Sequence, residues 1–451
     1  MIVLLIKNFI RSKGFLVGLA ILFISGMIGL NIGKQFLDKN RDIIEKTAHF
    51  QKENIHRYVQ YMDKEMGLLL YYVRFGLVNE TPNIVGLSIG QRDINPSLHS
   101  VTIRNLEEQK YTTDLMNPMY QLIGNMDLSF VIIYFFPLII ISFGFNLVSE
   151  EKEEGTWSLV LSQTSNPQKM LRLKVGIRYI SILFILFLLL IIAKFYLSIP
   201  FDIYLITYIL TAFLYVSFWF SLVWLVISFH KSSSQNALIL LTSWITLTII
   251  VPALMNALVI QLYPIPEAFS TVLESRDGYH TQWDKAKEPT IEKFHQLYPQ
   301  LAHFQHPKNK DFSWLWYYAM QQMGDETAIE SSKILKEKIR KRENLSKTLA
   351  LLIPTIHTQL TMNAVCSSDM ANYLKFVEAL EEFHKQKRMF FYPKIFSDTP
   401  VSSENWDNFN LEYFKNQPFI NLYMVLLPYI ITTILCLLWA NINFGRKKYT
   451  L

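Results

Sequence analysis

Six apolar runs dominate this 451-residue chain, and each is long enough to cross a bilayer as a helix. At a rise of 1.5 Å per residue, about 20 residues span a hydrocarbon core of about 30 Å. The runs fall at 14–33, 128–148, 176–193, 204–229, 237–262 and 419–440. Each carries few or no charges, as the cost of an unpaired ion at mid-bilayer requires. Hydrophobic residues make up 51% of the chain, and it is their clustering into these runs that places it in a membrane. The first run is too long for a cleavable signal, and no A-x-A-like site follows Gly33 before the charged stretch 34–46, so the N-terminus is expected to stay attached.

Lysine and arginine near the ends of the runs set the expected orientation. Lys7, Arg11 and Lys13 precede the first run. Lys152, Lys169, Arg172, Lys174 and Arg178 surround the second connection, and Lys231 marks the fourth. Arg446, Lys447 and Lys448 follow the last. All fall on one side, which predicts a multi-pass protein of the cytoplasmic (inner) membrane with both termini, including the tail 441–451, in the cytoplasm. Two long insertions, 34–126 and 263–418, then lie outside. Both mix apolar periodicity with charge and aromatics, so they are expected to pack into one extracytoplasmic α or α+β domain. Within it, 327–352 and 368–390 read as charged helices and 88–103 as loop or strand. Fold class is therefore membrane, mainly α. Residues 1–13, with Ile2, Leu5, Ile6, Phe9 and Ile10 at helical spacing, read as an amphipathic helix in the cytoplasmic interface; the alternative is an early start to the first span.

Charge and cysteine content exclude more than they indicate. The formal net charge is +6, much of it at the expected cytoplasmic rim, where anionic lipid favours it, and nucleic-acid binding has no support. The run Lys333 to Arg342 is interrupted by Glu337 and reads as a solvated helix face. Cys366 and Cys436 are too differently placed to be expected in one disulfide.

The connection 149–175 is the most pointed polar feature. Glu150, Glu151, Glu153 and Glu154 lie at the N-terminal side of a helical stripe formed by Trp157, Val160, Leu161 and Thr164, where carboxylates meet the helix dipole favourably. Gly155 interrupts helix propensity, for close packing or for a bend. Such a stripe fits a partner's groove; the alternative is a solvated loop with ordinary capping charges.

The run from Glu151 through Gly155-Thr156-Trp157 to Leu161-Ser162-Gln163, followed by Leu171 and Lys174, resembles the E-x-E-x-G-T, L-L-S and L-x-G-K pattern of ABC-2-type transporter permeases, in the group of multicopper enzyme maturation permeases. Ser232-Ser233-Ser234-Gln235-Asn236-Ala237-Leu238, leading through Trp244 to Pro252, is similar to the entry of that group's fifth span. Thr164, Pro167 and Leu173 depart from the family's usual proline, arginine and glycine, which bears on loop geometry and not on topology. A subgroup with large insertions after the first and fifth spans shares this layout. The resemblance implies six spans, a second permease (a copy, giving a homodimer, or a paralogue) and cytoplasmic ABC ATPase subunits. It makes Glu150, Glu151, Glu153, Glu154, Gly155, Thr156, Trp157, Val160, Leu161 and Lys174 the coupling loop. No G-x-x-x-x-G-K-[ST] occurs, so ATP and Mg are expected only through the partner ATPase, with no cofactor on this chain and no catalysis by it.

Three other readings stay in view. His303 and His306, in His-Phe-Gln-His-Pro, are one helical turn apart and are the candidates for a metal, against surface histidines. No H-E-x-x-H supports a protease, and Glu381-Glu382 reads as helix-surface pairing with Lys385 and Arg388. Thr211, Tyr215, Ser217, Trp219 and Ser221 on the fourth run either line a substrate route or pack neighbouring helices. The alternative to transport is a membrane-anchored receptor or scaffold whose large outer domain binds an envelope partner.

Overall fold

The computed structural model describes residues 13–110, 125–157, 167–307 and 310–446. The proposed interfacial helix, Val160, Leu161 and the end of the tail lie outside the described residues. The fold is mainly helical, and among the described residues six helices are long and apolar enough to cross a membrane. They are α1 (Lys13–Tyr61), α2 (Leu128–Glu153), α3 (Gln168–Tyr196), α4 (Ile203–Ile227), α5 (Ser233–Leu262) and, after the second insertion, the last helix (Leu422–Gly445). Between them the second insertion forms α6 (Glu267–His280), α7 (Lys287–Leu297), α8 (Trp314–Ala350), α9 (Pro354–Val365) and α10 (Met370–Phe396); the last helix is therefore α11.

The six helices pack around α4, whose most apolar window is 67% buried, against 11% for α5 and 6% for α11. Large apolar side chains of α5 and α11, such as Leu254, Leu435 and Trp439, therefore face outward, as they must against hydrocarbon. The base of the bundle, where α1 begins, is tied by Asn443 donating to Ser228 and Gln168 donating to the Phe444 carbonyl. At the opposite end Tyr196 donates to Asn31, Asn83 of the first insertion to the Ser198 carbonyl, and Tyr204 to the Pro418 carbonyl of the second, so both insertions emerge together there.

Those insertions make one body. Strand β1 (Phe75–Asn79) of the first pairs antiparallel with β2 (Leu98–Val101) and parallel with β3 (Glu412–Phe414) of the second, in the order β2-β1-β3. A second hydrophobic core joins Phe75 and Leu77 of the first insertion to Tyr318, Phe376 and Phe391 of the second. Buried polar groups cross the same seam. Lys110 meets Glu107 and Glu381, and Lys336 closes the cluster. Arg388 donates to the Ile103 and Arg104 carbonyls and pairs with Asp325 at 2.9 Å. Glu381 thus pairs across elements, not along its own helix as the sequence implied, and Lys338 and Arg340 of the basic run pair with Glu267 and Glu378.

Two elements couple the body to the bundle. Helix α1 does not stop where the first apolar run ends but continues to Tyr61, about 40 Å beyond Gly33. Lys34–Asp38 and Lys46–Asp42 pairs at i,i+4 support its exposed faces. At Gly33 the helix lies in backbone contact with the turn at Gly86; a Cβ there would sit 1.9 Å from the Gly86 carbonyl oxygen. The second element is α9, which enters the bundle core with Met362, Val365 and Cys366. Tyr429 of α11 donates to Thr358, and His357 bonds the Val425 carbonyl at 3.0 Å.

Helices α2 and α5 share an irregularity. Each contains a π turn, Val131–Phe135 and Thr246–Ile250, immediately ahead of a proline, Pro137 and Pro252. Proline lacks an N–H and crowds the carbonyl four residues back, so both turns release backbone acceptors. Neighbouring helices supply the donors. Tyr215 donates to the Ile133 carbonyl at 2.8 Å and Trp244 to that of Tyr134 at 3.2 Å, while Thr355 of α9 donates to that of Leu247.

Acid sensitivity is expected in the body. His99 on β2 is 6% exposed, against Phe376 at 5.7 Å, and burial pushes its imidazole down to about 4. The folded state therefore holds this ring neutral. Its contribution is complete above the unfolded pKa near 6.5 and is lost as pH falls from there towards 4, about 2 kcal/mol between pH 7 and 5. Unfolding temperature measured at pH 7 and pH 5 checks this: the drop should shrink in His99→Phe.

Candidate functional site at the base of the bundle

The acidic connection forms a hook at the base. The last turn of α2 ends at Glu153, and Gly155 follows with φ of +73°. Among the described residues nothing lies within 4 Å of where its Cβ would be, and its left-handed φ marks it as the residue that makes the bend. This is the left-handed residue that commonly ends a helix, and a side chain here strains the turn. The Thr156 hydroxyl donates back to the Glu151 carbonyl at 3.2 Å.

Three spans are tied to this hook. Asn146 donates to Glu150 within α2 at 2.8 Å. Glu151 pairs with Lys174, two turns into α3, and both side chains are under one-fifth exposed. Glu153 accepts from the backbone N–H of Ser233 at 2.8 Å, and the Ser233 hydroxyl donates to Ser149 at 2.7 Å. Ser233 opens α5 within a reciprocal capping box of Ser232 and Gln235. Asn236 then donates to the Phe145 carbonyl at 3.2 Å. The described part of the first segment singled out in the sequence, 151–157, therefore lies beside the second, at the start of α5.

The exposed tip consists of Glu153, Glu154, Gly155 and Thr156. Trp157 turns the other way: it is 7% exposed and belongs to the bundle core, with the Lys152 ammonium 5.8 Å from its ring. In this arrangement it anchors the hook and is not offered to a partner. Helix α3 begins well before residue 176, which puts Lys169, Arg172 and Lys174 on its first turns and gives Glu151 a rigid partner.

The polar residues of α4 are each inside the packed bundle. Tyr215 holds the π turn of α2. Ser217 lies 2.7 Å from the Tyr179 hydroxyl and also donates to the Phe213 carbonyl, and Ser221 donates to that of Phe218. Thr211 and Trp219 are fully buried, and the Trp219 ring meets that of Tyr215 edge-on at 6.3 Å. Sequence reasoning did not find Thr355, because the acceptor it serves, the Leu247 carbonyl of α5, is brought to it only by tertiary packing.

In the body, His306 bonds Ser313 at 2.7 Å, and the exposed His303 ring lies 4.0 Å from that of Phe304. Among the described residues no group of three His, Cys, Asp or Glu side chains is placed to hold a metal ion. Both cysteines are free.

Neither a curated protein nor a solved structure matches the chain. Residues 267–411, from the first residue of α6 to the residue before β3, match a family described as a domain of unknown function (DUF3526).

Proposed function

We propose that this chain is the transmembrane permease subunit of an ABC-2-type transporter, an exporter, with the hook at 149–157 seated on a cytoplasmic ATPase and the body on the extracytoplasmic side. The observation that carries the reading is the hook itself: an exposed acidic tip whose anchors reach α2, α3 and α5 at once. A push on such a tip is shared by three spans. The domain matched at 267–411 is typically found in ABC-2-like permeases, which supports the same reading. ATP and Mg belong to the partner, two ATPase subunits acting with a second permease that is a copy or a paralogue. Closure of the ATPase pair biases the spans between two arrangements. Because α1 continues unbroken into the body, that change reaches the body as well, to move substrate or to act mechanically on an envelope component.

Purification from mild detergent, with identification of bound proteins and an ATPase assay, tests this. The expected result is an ABC ATPase subunit and a second permease with wild type, and loss of the ATPase with Glu154→Lys/Thr156→Lys. These positions are exposed, so folding is unaffected. Recovery of the chain alone in several mild detergents would replace the reading with a receptor or scaffold.

A further inference from the structure

A groove runs between α1 and the sheet, just above the membrane edge. Its volume is 430 Å³, within the range of about 300–1,000 Å³ usual for pockets that hold small molecules. Leu37, Ile44 and Ala48, at i, i+7 and i+11 on one face of α1, form its floor with Val78 of β1. Asn40, Arg41, Glu45 and Glu80 form its rim, and Tyr413 of β3, 60% exposed, stands over one side.

Position and charge decide what fits it. Leu37 is about 6 Å beyond Gly33 along α1 and Ala48 about 22 Å beyond it; with the bilayer edge taken at the end of the first apolar run, the groove opens at headgroup depth and rises away from the bilayer. An apolar floor beneath an ionic rim suits an amphiphile. Arg41 donates to Asn83 at 2.6 Å and pairs with Asp38 at 3.5 Å, leaving further guanidinium N–H groups, while Lys415 lies 3.6 Å from Glu80. Glu45 has no ion-pair partner among the described residues. Among the charged residues that line the groove, Arg41 stands against Glu45 and Glu80, so the lining is negative by one, which disfavours an anionic head.

We propose that the groove holds one acyl chain of a zwitterionic phospholipid drawn from the adjoining leaflet, with a phosphoethanolamine head at the rim. The phosphate meets Arg41 and Asn40, and the ammonium meets Glu45 and Glu80. The site does not depend on an ATPase partner, so it stands or falls separately from the transport reading.

Native mass spectrometry of the full chain, titrated in detergent with phosphatidylethanolamine or phosphatidylglycerol, reads the occupancy. Wild type should bind one phosphatidylethanolamine at least tenfold more tightly than phosphatidylglycerol. Ile44→Trp/Ala48→Trp, which fills the floor, should lose that molecule, whereas Ile24→Trp on the exposed membrane face of α1 should not. Glu45→Lys/Glu80→Lys, at rim positions outside the core, should reverse the lipid preference and keeps the test open if the filled variant misfolds. Equal retention by wild type and a folded Ile44→Trp/Ala48→Trp chain, or no preference between the two lipids, would overturn the proposal.

Discussion

Arg92→Ala should lower the stability of the body by about 4 kcal/mol or more, the largest effect expected of any single substitution outside the bundle. The guanidinium is 7% exposed and its donors reach six oxygens. Nε donates to the Ser367 carbonyl at 2.8 Å, and Nη1 to Thr81 at 2.7 Å and the Asn79 carbonyl at 3.3 Å. Nη2 reaches the Glu80 carbonyl and the side chains of Asn79 and Asn372. These acceptors come from both insertions, so one side chain fastens the two halves of the body. Burial lowers its pKa only to about 10, which leaves it charged at neutral pH. Truncation strands several buried acceptors, each costing about 1–3 kcal/mol if water cannot reach it. Arg92→Lys keeps the charge but cannot reproduce the planar fork, and should recover only part of the loss. Thermal unfolding of the detergent-solubilised chain measures both. Lys415→Ala, which removes an exposed pair with Glu80, should change stability by no more than about 0.5 kcal/mol and serves as the reference.

The six apolar helices were legible because hydrocarbon imposes its requirement locally: a run must be predominantly apolar along its whole length, whatever its tertiary neighbours. The continuation of α1 beyond the first span was not. The stretch 34–46 reads only as a charged start to the first insertion, yet its lysines and aspartates sit four residues apart and support a helix that continues. Helix α9 was invisible as a bundle element for a related reason. It is 12 residues long and carries Thr355, His357 and Thr358, which look unsuited to a membrane core until the carbonyls of Leu247 and Val425 and the hydroxyl of Tyr429 are placed beside them.

The same distinction governs the hook. Its acidic residues and glycine stood out in the sequence, and the bend at Gly155 follows from local backbone geometry. The direction of Trp157 did not follow, because a helical stripe has the same spacing whether it faces a partner or its own core. Tyr215 shows the reverse case. From the sequence this tyrosine either lines a route or packs neighbouring helices, and its hydroxyl serves an acceptor that Pro137 releases on another helix.

If the chain is the proposed permease, Glu151→Lys should reduce nucleotide-driven turnover of its complex with the ATPase more than tenfold, and the exchange Glu151→Lys/Lys174→Glu should restore most of it. The pair joins the end of α2 to α3 with both side chains largely shielded, 18% and 17% exposed. Reversing one member places like charges about 4 Å apart, a repulsion of about 4 kcal/mol at an effective dielectric near 20, reduced by solvent at the open side. The hook would then swing from α3 while Glu153 still held it to α5, so that a push on the tip reaches two spans instead of three. Lys174→Glu alone should behave as Glu151→Lys does. ATPase rate and transport measured on the purified complex for both singles and the double form a mutant cycle, and strong coupling is the expected outcome. A double variant as inactive as Glu151→Lys would mean that Glu151 touches the ATPase directly and that its link to α3 is incidental. Full activity in both singles would remove the pair from the path of coupling and leave Ser233 as the polar tie between the hook and its neighbouring spans to be tested.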